Sequence, residues 1–228
     1  MPNADQTHHE ARLELLAREK ELTRLRDEVS ALRRKLPRRK VEDYAFEGPD
    51  GTVKLSELFG SHDQLLVYHF MFGPDWEAGC PRCTFWADHF DPMIPHLAAR
   101  NCAFAVVSRA PVPKLAAYAE RMGWKFPWVS SQHNSFNTDF AVTFTEAQVA
   151  SKKKLYNHGT QAPMGQEMPG ASTFIKEGGD LLHTYSTYTR GLDILNTTYH
   201  WLDLAPKGRD EAGLPFSMAW VKRHDEYA

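Results

Sequence analysis

Apolar residues recur every seven positions near the start of the chain, at Leu15, Leu22, Val29 and Leu36. Leu25 and Leu32 each fall three residues after a member of that series, and the positions between are mostly Glu, Arg and Lys. This is an a/d seam of about three heptads, so the spacing predicts an amphipathic helix over residues 8–36, ended by Pro37. Such a helix either lies on its own domain or packs on a second subunit. Beyond Pro37 the pattern changes. Gly48-Pro49-Asp50-Gly51 is turn punctuation, and Val53, Leu55, Leu58 and Phe59 predict a short strand and a helical turn. Leu65–Phe72 reads as a buried strand closed by Gly73-Pro74-Asp75. A helix is expected over Thr84–Arg100, kinked near Pro92 and Pro95. A second buried strand follows at Cys102–Ser108. Next come a helix at Pro113–Met122, with Leu115, Tyr118 and Met122 on one side, and a short third strand at Trp128–Ser130.

Residues 145–170 carry three consecutive lysines, several Gly and Pro, and few large apolar groups, so they read as a surface insertion, mobile or lid-like. Ala171–Ile175 and Asp180–Tyr188 flank Lys176-Glu177-Gly178-Gly179, a hairpin signal. A closing helix is expected at Asp193–Leu204, then a charged, loop-like tail from Pro206. Strands that alternate with helices and end in a hairpin imply an α/β sandwich with a mixed sheet. The expected organisation is an N-terminal helix over residues 1–40 and one α/β domain over residues 41–228.

Composition narrows the function. The chain has 228 residues, 42% hydrophobic and 25% charged, which excludes a mostly disordered or collagen-like protein. The net charge is −2, with +4 on residues 1–40 and −6 on the rest. A phosphate-neutralising surface would be basic, so no nucleic-acid partner is expected. The basic end Arg33–Lys40 also lacks interleaved aromatics. The longest apolar run, Leu65–Phe72, is interrupted by His69 and falls short of the about 18–20 residues of a membrane span. The first forty residues have no apolar centre and so no secretory signal, which makes the cytoplasm the expected location. Thiols stay reduced there, and three cysteines are too few for a disulfide scaffold. Two of them form Cys80-Pro81-Arg82-Cys83, a C-x-x-C pair that points to redox or metal chemistry.

The surroundings favour redox. A buried strand runs into a Gly/Pro loop, and a helix begins at the cysteines. Partial positive charge and unpaired N–H groups at a helix start lower a thiol's pKa. Pro81 suits the first helical turn, and Arg82 adds a cation that favours the thiolate. Residues three apart share a helix face, so Cys83 can close a disulfide with Cys80. Cys80 is the expected attacking thiol and Cys83 the resolving one; the pair itself would be the redox centre, with no added cofactor. A zinc site would need further ligands. Cys102, His69, His89 and His96 match no zinc spacing, and Cys102 reads as a core residue.

The order strand, C-x-x-C helix, strand, helix, strand and hairpin resembles the thioredoxin-like fold: a mixed central sheet with helices on both faces, here with an N-terminal helical extension. Cys102–Pro111 and Phe126–Ser131 resemble the peroxiredoxin branch. More specifically, Glu19–Arg26, Cys80–Asp88, Val107–Ala110, Arg121–Ser130, His183–Asp193 and Leu202–Asp210 resemble a bacterial family catalogued as a domain of unknown function. Its members are described as predicted thioredoxin-like dithiol-disulfide oxidoreductases.

That resemblance implies an enzyme exchanging thiols and disulfides through Cys80 and Cys83, with a protein or small-molecule substrate. It also marks supporting positions. Thioredoxins place Trp directly before the first cysteine; here Gly79 stands there and Trp76 lies four back. Tyr68 and His69 occupy the neighbourhood of the buried thioredoxin acid, which makes His69 a candidate proton acceptor for Cys83. Pro169 lies near the position of the proline that precedes the hairpin strand. Arg109 is a candidate for the peroxiredoxin guanidinium, although Ala78 falls where that branch carries a hydroxyl. Tyr185 and Arg190 belong to the polar, aromatic stretch His183–Arg190, which could line a substrate cleft. Two alternatives stay open: a thiol peroxidase with Cys80 peroxidatic and Cys83 resolving, and a metal-binding or interaction module. A homodimer through the N-terminal helix is a further expectation.

Overall fold

The computed structural model describes residues 4–228, and the chain divides into two units, one ending at Arg38 and one spanning Arg39–Ala228. The first is a single helix, α1 (Ala4–Arg34). Asp5 in its first turn and Arg33 and Arg34 in its last match the helix dipole, and an Arg18–Glu21 ion pair bridges one turn. Leu15, Leu22, Leu25, Val29 and Leu32 of the expected seam lie within it, whereas the helix ends two residues short of Leu36, which falls outside.

The second unit runs β1 (Arg39–Lys40), β2 (Ala45–Gly48), β3 (Gly51–Lys54), α2 (Leu55–Leu58), β4 (Gln64–His69), α3 (Pro81–Ala87), α4 (Phe90–Ala98), β5 (Cys102–Ser108), α5 (Val112–Met122), β6 (Trp128–Ser130), α6 (Phe136–Asp139), α7 (Glu146–Ala150), β7 (Gly170–Glu177), β8 (Asp180–Tyr188) and α8 (Thr197–Leu202). The eight strands form one sheet in the order β1-β8-β7-β4-β5-β6-β2-β3. β4, β5 and β6 are parallel, while β7 runs antiparallel to β4 and pairs with β8 as a hairpin. The helix that carries Cys83 thus follows β4, where the parallel and antiparallel parts of the sheet meet, the placement expected from the thioredoxin-like resemblance.

Burial on both faces explains the continuous apolar run of the central strands. On β4, Leu65 and Val67 enter one layer with Phe46, Phe136 and Phe174, covered by α2 and α6. Tyr68 enters the other with Phe104, Phe90 and Leu115, covered by α3, α4 and α5. A third, smaller cluster holds Phe144, Tyr156, Met168 and Tyr188.

Several expected elements differ in detail. The strand at 65–72 ends at His69, and Phe70–Phe72 continue as loop. The 84–100 helix is two helices broken at Asp88–His89, ahead of both prolines, because Pro92 falls in the first turn of α4, where a missing N–H costs nothing. The 193–204 helix is a 3-10 helix over Thr189–Leu195 followed by α8, whose start is capped by the Asn196 side chain accepting from the Tyr199 N–H. Residues 145–170 are not all surface: Tyr156, Glu167 and Met168 are buried, and Thr143 bridges to Glu167. The hairpin turn at Gly178-Gly179 has φ of 60° and 86°, the left-handed pair of a type I′ turn. Among the described residues, no helix is long and apolar enough to cross a membrane.

Phe136 is fully buried and meets Tyr44, Phe46 and Phe140 ring to ring at 4.7–5.0 Å. Phe136→Ala is expected to cost about 3–5 kcal/mol, read as a lower urea midpoint at unchanged slope.

Candidate active site

The loop after β4 is pinned before it reaches the cysteines. The Phe70 N–H donates to the Val107 carbonyl, the Ala110 N–H to the Phe72 carbonyl, and the Ser108 hydroxyl to the Phe70 carbonyl at 2.7 Å. The Met71 peptide then touches both cysteines. Its carbonyl accepts from the Cys80 N–H at 3.1 Å, and its N–H donates to the Cys83 sulfur at 3.4 Å. Cys80 caps α3, and Pro81 is the first helical residue.

The two thiols have opposite environments. Cys80 is half-buried and Cys83 is buried. The neighbouring Cys83 thiol favours the Cys80 thiolate most, followed by the backbone N–H groups of Cys83 and Arg82 at the start of α3 and by the Arg82 charge. Together they outweigh burial and lower Cys80 to about 6. Burial, then the neighbouring Cys80, pushes Cys83 well above an ordinary thiol. The Tyr68 hydroxyl bonds the Cys83 sulfur, and burial and that sulfur hold Tyr68 neutral. The arrangement can therefore supply one thiolate and one proton, side by side.

A second network fixes the backbone around Cys80. The Thr84 hydroxyl donates to the Cys80 carbonyl at 3.1 Å and lies 2.8 Å from the Tyr118 hydroxyl. From the C-terminal tail, the Arg223 guanidinium donates to the Gly79 carbonyl at 2.8 Å and to the Tyr118 hydroxyl at 3.0 Å. A Cβ at Gly79 would stand 2.7 Å from the Phe70 ring and 2.9 Å from that of Tyr118. This explains why glycine, rather than a bulky residue, precedes the first cysteine.

The other sequence-picked residues separate into two groups. Trp76, Arg82 and Pro169 line the cleft at Cys80. His69 does not serve Cys83. It follows Tyr68 on the strand and so faces the opposite side of the sheet. There its Nε2 lies 2.8 Å from the Ser172 hydroxyl, its ring stacks on Phe140, and burial lowers it to about 3. Arg109 is held by Glu167 at 2.6 Å and is not among the residues lining the cleft; the carboxylate is. Tyr185 sits opposite Thr173 in the hairpin, outside the cleft lining, and Arg190 pairs with Asp193 at the rim. Of His183–Arg190, only Thr189 lines the cleft. Among the described residues, no three His, Cys, Asp or Glu side chains gather to hold a metal.

Sequence reasoning missed Thr84, Tyr118, Glu167 and Arg223 as site residues. Arg223 lies 144 residues from its Gly79 partner, in a tail whose charge pattern shows no period. Tyr118 reads correctly as a core position on α5, but its hydroxyl's destination depends on tertiary packing.

A family model described as "Bacterial protein of unknown function (DUF899)" matches residues 2–227. The chain belongs to the DUF899 family. No curated protein matches this DUF899 chain in sequence. Among solved structures it is similar to the peroxidoxin BcpB from Mycobacterium tuberculosis, at 20% identity and a TM-score of 0.49, covering 71% of this chain and 94% of that one. It is also similar to a variant of Peroxiredoxin Q from Xanthomonas campestris, at 18% identity and a TM-score of 0.48, covering 70% and 92%. A third is a hypothetical protein from Sinorhizobium meliloti 1021, at 13% identity and 0.41, covering 64% and 68%.

The lowered Cys80 sets a pH dependence. Alkylation of the reduced DUF899 protein by iodoacetamide is expected to rise with pH around a midpoint of about 6, whereas an ordinary thiol titrates near about 8.5. The rate falls below the midpoint, as the thiolate gains its proton, and levels off above it. Arg82→Met is expected to move the midpoint upward, by roughly one unit at most. Mass spectrometry of Cys80 labelling across pH checks both.

Proposed function

We propose that this DUF899 protein is a dithiol–disulfide oxidoreductase. The observation that carries the reading is the asymmetry of two hydrogen-bonded thiols, one lowered and open to a cleft, the other raised and buried. The Cys80 thiolate attacks one sulfur of a substrate disulfide, a mixed disulfide forms, and the first substrate thiolate leaves and takes a proton. Cys83 then loses its proton and attacks the Cys80 sulfur. The second substrate thiolate leaves and takes the other proton; the substrate disulfide has been reduced to two thiols and the Cys80–Cys83 pair oxidised by two electrons to a disulfide, which an external dithiol then reduces. The centre is the pair itself, so the reading calls for no further cofactor. The engaged Arg109 and the absence of a side-chain hydroxyl at Ala78 favour disulfide exchange over peroxide reduction.

Equilibration against glutathione or dithiothreitol, with thiol trapping, is expected to show a reversible two-electron couple between about −120 and −270 mV. If no disulfide forms at any poise, the reading fails. Cys83→Ser is expected to accumulate a mixed disulfide on Cys80, and Cys80→Ser to react with no disulfide substrate above background. Intact-mass measurement after non-reducing quench distinguishes the two. If hydrogen peroxide oxidises Cys80 far faster than any disulfide does, the peroxidase reading replaces this one.

A further inference from the structure

Cys80 opens on a cleft of about 410 Å³ lined mainly by thioether, aromatic and other apolar side chains, together with Arg82, Glu167, Thr189 and Asp193. Four of the chain's seven methionines, Met71, Met164, Met168 and Met218, line it together with Trp76 and Trp86. Thioethers are flexible and polarisable, and they fit varied apolar shapes. The volume lies in the lower part of the range of about 300–1,000 Å³ that holds small organic ligands. Met164 at the mouth is 83% exposed, a large apolar side chain left in water.

The charged groups that reach the cleft are largely committed. Glu167 is ion-paired to Arg109 at 2.6 Å, and Asp193 to Arg190 at 2.8 Å and Arg209 at 3.2 Å. Arg82 lies over the Phe216 ring at 4.8 Å and acts on the Cys80 thiolate. A substrate carrying several carboxylates and ammonium groups would have to desolvate them against thioether and indole walls, with Arg82 the one cationic lining side chain and both lining carboxylates already ion-paired.

We propose that the substrate is a small uncharged organic disulfide whose apolar groups fill the methionine-lined cleft. This rests on the oxidoreductase reading and adds the substrate class to it. One sulfur of the substrate meets the Cys80 thiolate; its S–S bond breaks as the Cys80–substrate bond forms, and the leaving thiolate takes a proton. Attack by Cys83, which releases its own proton, frees the second substrate thiol. One substrate disulfide and two protein thiols thus give two substrate thiols and one protein disulfide. Repeated turnover needs an external dithiol as reductant; a single turnover needs none.

The test is a single turnover of the reduced full-length protein with diethyl disulfide or with oxidised glutathione. Fluorescence of the cleft tryptophans and thiol trapping follow Cys80–Cys83 disulfide formation. Each rate is divided by that of the same disulfide with 2-mercaptoethanol thiolate, which removes intrinsic reactivity. The normalised rate is expected to favour diethyl disulfide by about tenfold or more, the scale of a few apolar contacts. Met164→Gln, a neutral change of similar length at an exposed position that leaves the core intact, is expected to reduce that preference by several-fold. Equal normalised rates, a preference for glutathione, or an equal effect of Met164→Gln on both substrates would overturn the substrate class while leaving the exchange reading intact. If neither disulfide oxidises the pair, both readings fall together.

Discussion

A single proton shared by two sulfurs organises this site. Two thiolates in contact inside a protein repel each other and lack water to screen them, so one proton must stay. The surrounding donors decide which sulfur keeps it. N–H groups at the start of α3 point at Cys80, together with the Arg82 charge, while Cys83 lies one turn deeper among apolar groups. The Met71 peptide fixes the distance between them by bonding the Cys80 N–H and the Cys83 sulfur at once. A shift of that peptide would disturb both cysteines together.

The rest of the domain holds this peptide still. Sheet hydrogen bonds carry it from β4, the Ser108 hydroxyl holds the preceding carbonyl, and Phe70 packs against Trp128 at 4.8 Å and Trp124 at 5.9 Å. Gly79 then lets the chain pass between the Phe70 and Tyr118 rings. Arg223 closes the arrangement from the far end of the sequence, so the tail is part of the site. Glu211 anchors the same tail, accepting from the Tyr199 hydroxyl and the Trp220 indole N–H.

Much of this was legible in the sequence, where local pattern and final position coincide. Cys102–Ser108 reads as a strand because it is apolar on both faces, and both faces are buried. Gly178-Gly179 reads as a turn because glycine, lacking a Cβ, adopts the positive φ values of that turn at little cost. The C-x-x-C pair reads as a helix start because Pro81 fits there. Legibility ended where meaning depends on the far side of a contact. The faces of Tyr68 and His69 depend on strand register, and the sequence offers both as neighbours of Cys83. Arg109 reads as a free guanidinium until Glu167, in a segment poor in large apolar residues, is brought against it. The tail's arginine has no local signal at all.

The paired ions at the cleft rim bear on the thiolate as well as on the substrate. Two carboxylates, Glu167 and Asp193, line the space in front of Cys80. Unpaired, each would raise the energy of a negative sulfur, and the apolar walls would screen that repulsion poorly. Arg109 neutralises the first, and Arg190 and Arg209 the second. Arg82 is then left to act on the sulfur. The same walls that exclude water from the thiolate must therefore be compensated by fixed N–H dipoles at short range, which the start of α3 supplies. An apolar cleft and a lowered thiol are compatible here because these N–H groups and Arg82 act on the sulfur while both lining carboxylates are held by cations.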